Sequence, residues 1–226
     1  MLPPRLHEVA RHVLRGRPVA DIGTDHARLP VFLVREGIVP SAIAIDNKVG
    51  PLAHAQRTIT ELECPAVALR QGDGLQPLQT GEVDTVVLAG LGGAKIISLL
   101  QAWPALATLP RVIMQPNTGW VAVRAWIAAQ RIGLRQETMV REGEHTYLTL
   151  VIEPGVTVQH PWADDDEALL LGPRLMASRP PAWRAWVAAE HARLGRALRR
   201  ASAAGATDLD PLRISLARMK RHLASD

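Results

Sequence analysis

Val19-Ala20-Asp21-Ile22-Gly23-Thr24-Asp25-His26 reads as an apolar strand that ends in an acid, a glycine and a second acid. Glycine at 23 lets the backbone turn sharply and come close to a ligand. Asp21 and Asp25 put negative charge where a phosphate-binding loop would present bare backbone N–H groups, so the expected ligand is cationic or amine-bearing. Taken alone, the two acids suit ordinary turn or helix-entry positions equally well.

Working outward, strand-like and helix-like stretches alternate. Leu6, Val9, Ala10, Val13 and Leu14 recur at helical spacing before the loop, and Gly16 closes that helix. Strands are expected at Pro18–Ile22, Ala42–Asp46, Ala66–Arg70, Val83–Ala89, Arg111–Gln115, Leu134–Arg141 and Tyr147–Glu153. Helices are expected between them at Ala27–Glu36, Pro51–Leu62, Gly93–Ala102 and Trp120–Gln130. Such alternation implies an α/β fold with a parallel sheet covered by helices on both faces. No helix separates the last two strands, which predicts an antiparallel hairpin at one side of the sheet.

The 226 residues are 47% hydrophobic and 21% charged, a composition suited to one ordinary domain with a smaller appendage. The single cysteine, Cys64, excludes an internal disulfide framework and a C-x-x-C zinc pair. No apolar run approaches the ~20 residues that span a bilayer, and Met1-Leu2-Pro3-Pro4 opens no signal segment. A cytoplasmic protein without membrane contact or metal is expected, working as a monomer.

The composition shifts after Glu153-Pro154-Gly155, which suggests one domain over 1–160 and a basic helical hairpin or coiled-coil domain over 161–226. Asp164-Asp165-Asp166-Glu167 suits a helix N-terminus. Leu212, Leu216, Met219 and Leu223 form a short coiled-coil-like stripe, with a turn expected at Ala203–Thr207. Between Arg174 and Arg221 eleven Lys or Arg stand against Glu190, Asp208 and Asp210, whereas the whole chain carries only +4. Either an anionic partner or a solvated basic face accounts for this asymmetry.

Four expected strand ends carry distinctive residues, and in a doubly wound sheet they line one crevice. They are Asp21-Ile22-Gly23-Thr24-Asp25, Ile45-Asp46, Arg70-Gln71-Gly72-Asp73-Gly74-Leu75 and Ala89-Gly90-Leu91-Gly92-Gly93. Asp46 could accept both ribose hydroxyls of a nucleoside, Asp73 could accept an adenine amine, and the glycines allow close backbone approach. Each alone is more simply a turn or a cap. Together they point to S-adenosylmethionine, a cationic nucleoside, and away from a dinucleotide, which favours G-x-G-x-x-G.

Several of these stretches resemble the bacterial tRNA (adenine-22-N1)-methyltransferase family. The residues that carry the resemblance are Ala20–Pro30, Gln71-Gly72-Asp73-Gly74-Leu75, Ala89-Gly90-Leu91-Gly92-Gly93, Gln115-Pro116-Asn117 and Leu171-Gly172-Pro173. Leu91 stands where the family usually has Met, and Leu148 follows Tyr147 where an acid is common. The resemblance implies a Rossmann-like class I core with a seven-stranded, mostly parallel sheet, a C-terminal helical domain, S-adenosylmethionine as cofactor and tRNA as partner. It points to Asp21, Gly23, Thr24, Asp46, Asn47, Asp73, Gly74, Gly90 and Gly92 around the cofactor. Asp21, Asp25, His26 and Asn117 are the catalytic candidates, and Arg193, Arg196, Arg200, Gln115 and Asn117 the candidates for contacting tRNA. Two other functions are alternatives: methyl transfer to another RNA nitrogen or a small molecule, which keeps the cofactor residues, and non-catalytic RNA binding on a retained cofactor fold, against which the joint presence of Asp21, Asp46 and Asp73 speaks.

Overall fold

The structure, a computed structural model, describes residues 2–204 and 206–223. It divides into two compact units, Met1–Ala163 and Asp164–Asp226.

Among the described residues of the first unit, seven strands form one sheet in the order β3-β2-β1-β4-β5-β7-β6. Its five parallel strands are β1 (Val19–Ile22), β2 (Ala42–Asp46), β3 (Val67–Gln71), β4 (Thr85–Leu91) and β5 (Arg111–Pro116). β1 and β2 are buried at every position, as strands covered on both faces must be, which explains their nearly continuous apolar sequence. β6 (Ile132–Glu142) and β7 (His145–Thr157) form the expected antiparallel hairpin, and β7 inserts between β5 and β6. Both strands run longer than their apolar cores, because backbone pairing continues where side chains are already exposed.

The chain winds outward from β1 through β2 to β3, then crosses back to β4 and winds the other way. The β1/β4 boundary is therefore the topological switch point, and the crevice beyond their carboxyl ends is where such sheets bind ligands. β4 carries an irregularity between Ala89 and Leu91, where Gly90 adopts φ 79°. That bulge re-aims Leu91 toward the β1 loop.

Helices α1 (Pro4–His12), α2 (Arg28–Arg35), α3 (Val49–Glu61), α4 (Gly93–Gln101) and α5 (Trp120–Ala129) cover the sheet. Val9, Ala10, Leu29, Leu33, Ala55 and Ile59 belong to the core built on the β1–β3 half. Behind the other half, Arg124 of α5 donates from Nε to Glu137 of β6 at 2.6 Å, with both side chains fully buried.

In the second unit Asp165 caps α6 (Asp166–Leu171), accepting from the N–H groups of Glu167 and Ala168 at 2.9 and 3.3 Å. After α7 (Pro173–Ser178), the long α8 (Pro181–Ala203) packs against α9 (Asp210–Leu223). Trp183, Val187 and Met219 are buried, and Trp183 Nε1 donates to the Leu171 carbonyl at 2.8 Å. Of the expected leucine stripe, Leu212 and Leu216 are half-buried and Leu223 is exposed, so the apolar seam is short. The expected turn includes Gly205, which lies outside the described residues. No helix among the described residues is long and apolar enough to cross a membrane.

Candidate functional site

The loop after β1 passes through three left-handed residues, Gly23 (φ 74°), Asp25 (φ 53°) and Ala27 (φ 52°). Two of them are not glycine, so backbone strain gathers at the switch point. Hydrogen bonds to β2 hold it there. The N–H groups of Gly23 and Thr24 donate to the Ile45 carbonyl at 2.8 and 3.0 Å, and the Asp25 N–H donates to Asp46 Oδ2 at 3.3 Å. The other oxygen of Asp46 accepts from the Lys48 N–H at 3.0 Å, so one nearly buried carboxylate fixes two loops.

Asp21 lies at the base of the loop with 6% exposure and accepts a hydrogen bond from Thr24 Oγ1 at 2.7 Å. Burial pushes its carboxyl up to about 6, the Thr24 hydroxyl pulls it back, the Asp46 charge raises it further and Arg5 opposes that. A cation placed beside Asp21 relieves this penalty.

Two cavities meet at the loop. One of about 270 Å³ has Ile22, Ile45 and Leu99 as apolar lining with Asp46, Asn47 and Asp73 around it. The other, about 400 Å³, is bordered by Asp21, His26 and Gly90. Gly23, Asp25 and Leu91 line both, which makes them one trough. The end with the apolar Ile22, Ile45 and Leu99 beside Asp46, Asn47 and Asp73 suits a nucleoside, and at the other end Asp21 and Asp25, with Arg5 and Arg28 also on the lining, suit an ammonium or sulfonium group. A Cβ on Gly74 would come within 2.4 Å of Leu99 Cδ2, so the bare glycine is what lets Leu99 line the nucleoside end.

Asp73 forms an ion pair with Lys95 at 3.1 Å, so an adenine amine approaching it shares the carboxylate with a cation. Asn117 braces the opposite wall: its N–H donates to the Leu91 carbonyl and its Nδ2 to the Gly90 carbonyl, both at 2.8 Å. Gly92 caps the start of α4.

His26 contacts Asp25 (Nε2 to Oδ2, 3.5 Å) and stacks on His54 of α3 with centroids 4.8 Å apart and planes 7° from parallel. Asp25, His26 and His54 thus bring three ligating atoms within 4.8 Å of one another. Parallel imidazoles aim their in-plane lone pairs side by side, whereas an ion held at about 2 Å from each nitrogen needs them to converge. Of the two rings, His26 lines the trough.

Residues 2–150 match the methyltransferase domain family model. The chain belongs to the methyltransferase family. It is 37% identical over 156 residues to the tRNA (adenine(22)-N(1))-methyltransferase of Bacillus subtilis, a match spanning 68% of this chain and 66% of that enzyme, just under two thirds. The solved B. subtilis m1A22 tRNA methyltransferase TrmK superposes with a TM-score of 0.78 at 29% identity, covering 99% of this chain and 96% of that one. The Streptococcus pneumoniae protein Sp1610, solved in complex with S-adenosyl-L-methionine, gives a TM-score of 0.86 at 27% identity, covering 99% and 100%. The proteins that the sequence motifs resemble are thus similar to this chain along nearly the whole fold.

Within this methyltransferase one expectation about RNA contacts is revised. Gln115 is fully buried: it donates to the Arg5 carbonyl at 3.0 Å, and accepts from Arg5 Nη1 at 3.1 Å. Its place in the apolar core of β5 removes it from any surface that could touch RNA. On α8, Arg193, Arg196 and Arg200 are exposed, but Arg193 is paired with Glu190 at 2.7 Å. Of the other basic residues, Arg218 pairs with Asp166 at 2.9 Å and Arg221 pairs with Glu167, so the acidic run that caps α6 neutralises much of α9.

The sequence reading missed Arg5, Arg28, Lys95 and His54. Arg5 borders the Asp21 end of the trough and lies over the Tyr147 ring at 5.6 Å. In sequence it is one more polar position on an amphipathic helix. Lys95 carried a faint signal, a cation in the first turn after the Gly90-Leu91-Gly92-Gly93 loop.

Proposed function

We infer that the protein is an S-adenosylmethionine-dependent tRNA methyltransferase that places a methyl group on N1 of adenosine 22. One observation carries the reading: a glycine-lined trough bearing Asp21, Asp25, Asp46 and Asp73 at the switch point of a sheet whose chain is 37% identical to a tRNA (adenine(22)-N(1))-methyltransferase.

In this reading Asp46 and Asn47 hold the ribose, Asp73 shares the adenine edge with Lys95, and Asp21 with Thr24 faces the cationic methionine end. S-adenosylmethionine supplies an electrophilic methyl: the N1 lone pair forms the new C–N bond as the C–S bond breaks and its electron pair returns to sulfur. Positive charge moves from sulfonium to the adenine ring and no proton has to leave N1, so positioning dominates and neither a nucleophilic side chain nor a metal is needed. Asp25, lining both ends of the trough, stabilises charge arriving on the ring, and His26 and the Gly90–Asn117 wall orient the base.

A Watson–Crick-edge nitrogen of folded tRNA is reached only when its nucleotide is splayed out. The exposed arginines of α8 give the helical domain its grip on phosphates. One chain contains the complete trough, so a monomer suffices, and a tRNA substrate places the reaction in the cytoplasm. Calorimetric titration with S-adenosylmethionine tests the cofactor half. Saturable binding that weakens in Asp46→Ala is the expected result, and no binding to the folded protein would sink the proposal.

A further inference from the structure

A second cleft lies beside the trough, on its outer side, between α1, α2 and α3. It encloses about 710 Å³, within the range of small-molecule sites, and shares His26 and Arg28 with the methyl-transfer end of the trough. The cofactor trough already has room for the nucleoside and its methionine arm, so this cleft is left over.

Its lining follows one face of α2. Arg28, Phe32 and Arg35 stand four and three residues apart, which brings a cation, an aromatic ring and a second cation into a row about 10 Å long. Arg28 and Arg35 are exposed and Phe32 is half-buried. His7 of α1 meets the Phe32 ring edge-on, with centroids 4.9 Å apart and planes at 79°. Thr58 of α3 closes the opposite wall, and Glu36 is the one acid on the rim. Alternating guanidinium groups and ring faces are what single-stranded nucleic acid requires: phosphates for the cations and a base for the rings. A solvated helix face would not need the ring half-sheltered between two cations, nor a cleft continuous with the site of chemistry.

We propose that this cleft binds the nucleotide next to the methylated adenosine, its base against Phe32 and His7 and its flanking phosphates on Arg28 and Arg35. The shared His26, stacked on His54, then separates the two bases: one enters the trough and its neighbour lies in the cleft. The proposal rests on the RNA substrate inferred above and explains how a splayed-out nucleotide is kept from returning to its stack.

The test is steady-state methyl transfer to unmodified tRNA by the full chain carrying Arg35→Glu or Thr58→Trp, with S-adenosylmethionine affinity measured in parallel. Neither residue lines the trough. The expected result is a KM for tRNA roughly tenfold higher in each variant, with cofactor affinity as in the parent. An unchanged KM in both variants, with an active parent, overturns the cleft proposal and leaves the tRNA methyltransferase reading standing. A parent chain that methylates no tRNA overturns both. Adenosine 5′-monophosphate separates the two sources of a nucleotide: micromolar binding that Thr58→Trp abolishes and tRNA does not displace would assign the cleft to a free nucleotide and overturn the proposal.

Discussion

Thr24 donates its hydroxyl to Asp21 at 2.7 Å across the tightest part of the loop, and this bond is the main force holding a buried carboxylate toward its charged form. With its carboxyl pushed up to about 6, Asp21 is ionised at neutral pH but takes up a proton as the pH falls through that value, and a neighbouring cation favours its charged form. Cofactor affinity is therefore expected to be full above about pH 6 and to fall about tenfold per unit below it. Calorimetry across pH 5–8 measures this; a flat profile would separate Asp21 from the cofactor.

The same shift sets a stability cost. The folded value of about 6 lies above the ordinary 3.8, so the folded state binds more protons between the two, and stability falls as pH rises through that window. Asp21→Asn is expected to make the free protein more stable at pH 8, by on the order of 3 kcal/mol, while abolishing methyl transfer. Thermal unfolding and activity of the same variant check both signs.

Asp46 accepts N–H groups from Asp25 and Lys48 and lines the nucleoside end. Asp46→Ala is expected to weaken cofactor binding by more than ~10-fold, since a charge-assisted contact is lost together with the loop geometry, at a stability cost of about 1 kcal/mol. Calorimetry beside a denaturation curve separates the two effects.

Arg124 and Glu137 are a fully buried pair remote from the trough. Glu137→Ala removes the carboxylate from beside a buried guanidinium and is expected to cost about 3–5 kcal/mol, read from urea unfolding. Cofactor affinity of the fraction that remains folded should not change.

On α8 the exposed arginines are unequal. Arg196→Ala and Arg200→Ala are each expected to weaken tRNA binding and lower the slope of log affinity against log salt by about 1. Arg193→Ala, whose guanidinium already faces Glu190, should do less. Filter binding at several salt concentrations measures the slopes, and equal losses at all three positions would contradict the ranking.

Much of this was legible in the sequence because it is written in periodicity and strand ends. The alternation of apolar strands with helices implied a parallel sheet covered on both faces, and in such a sheet the strand ends bring Gly23, Asp46 and Gly90 to one crevice. What stayed hidden depends on side-chain direction. Gln115 ends a strand as the site residues do, yet the pleat turns it inward onto Arg5. Arg5 lies on α1, where nothing in the local pattern distinguishes a side chain reaching a ligand cavity from one in solvent. The basic tally of the last third could not reveal that Arg218 and Arg221 are matched by Asp166 and Glu167, some fifty residues earlier.

Under the proposed function, the trough methylates N1 of adenosine 22 in tRNA. The most direct test is transfer of labelled methyl from S-adenosylmethionine to unmodified tRNA transcripts, with the product mapped by primer extension. The expected result is a single cofactor-dependent stop at adenosine 22, lost in an adenosine-to-guanosine transcript and in Asp25→Ala. Stops at another position, or label incorporated without any stop, would contradict it.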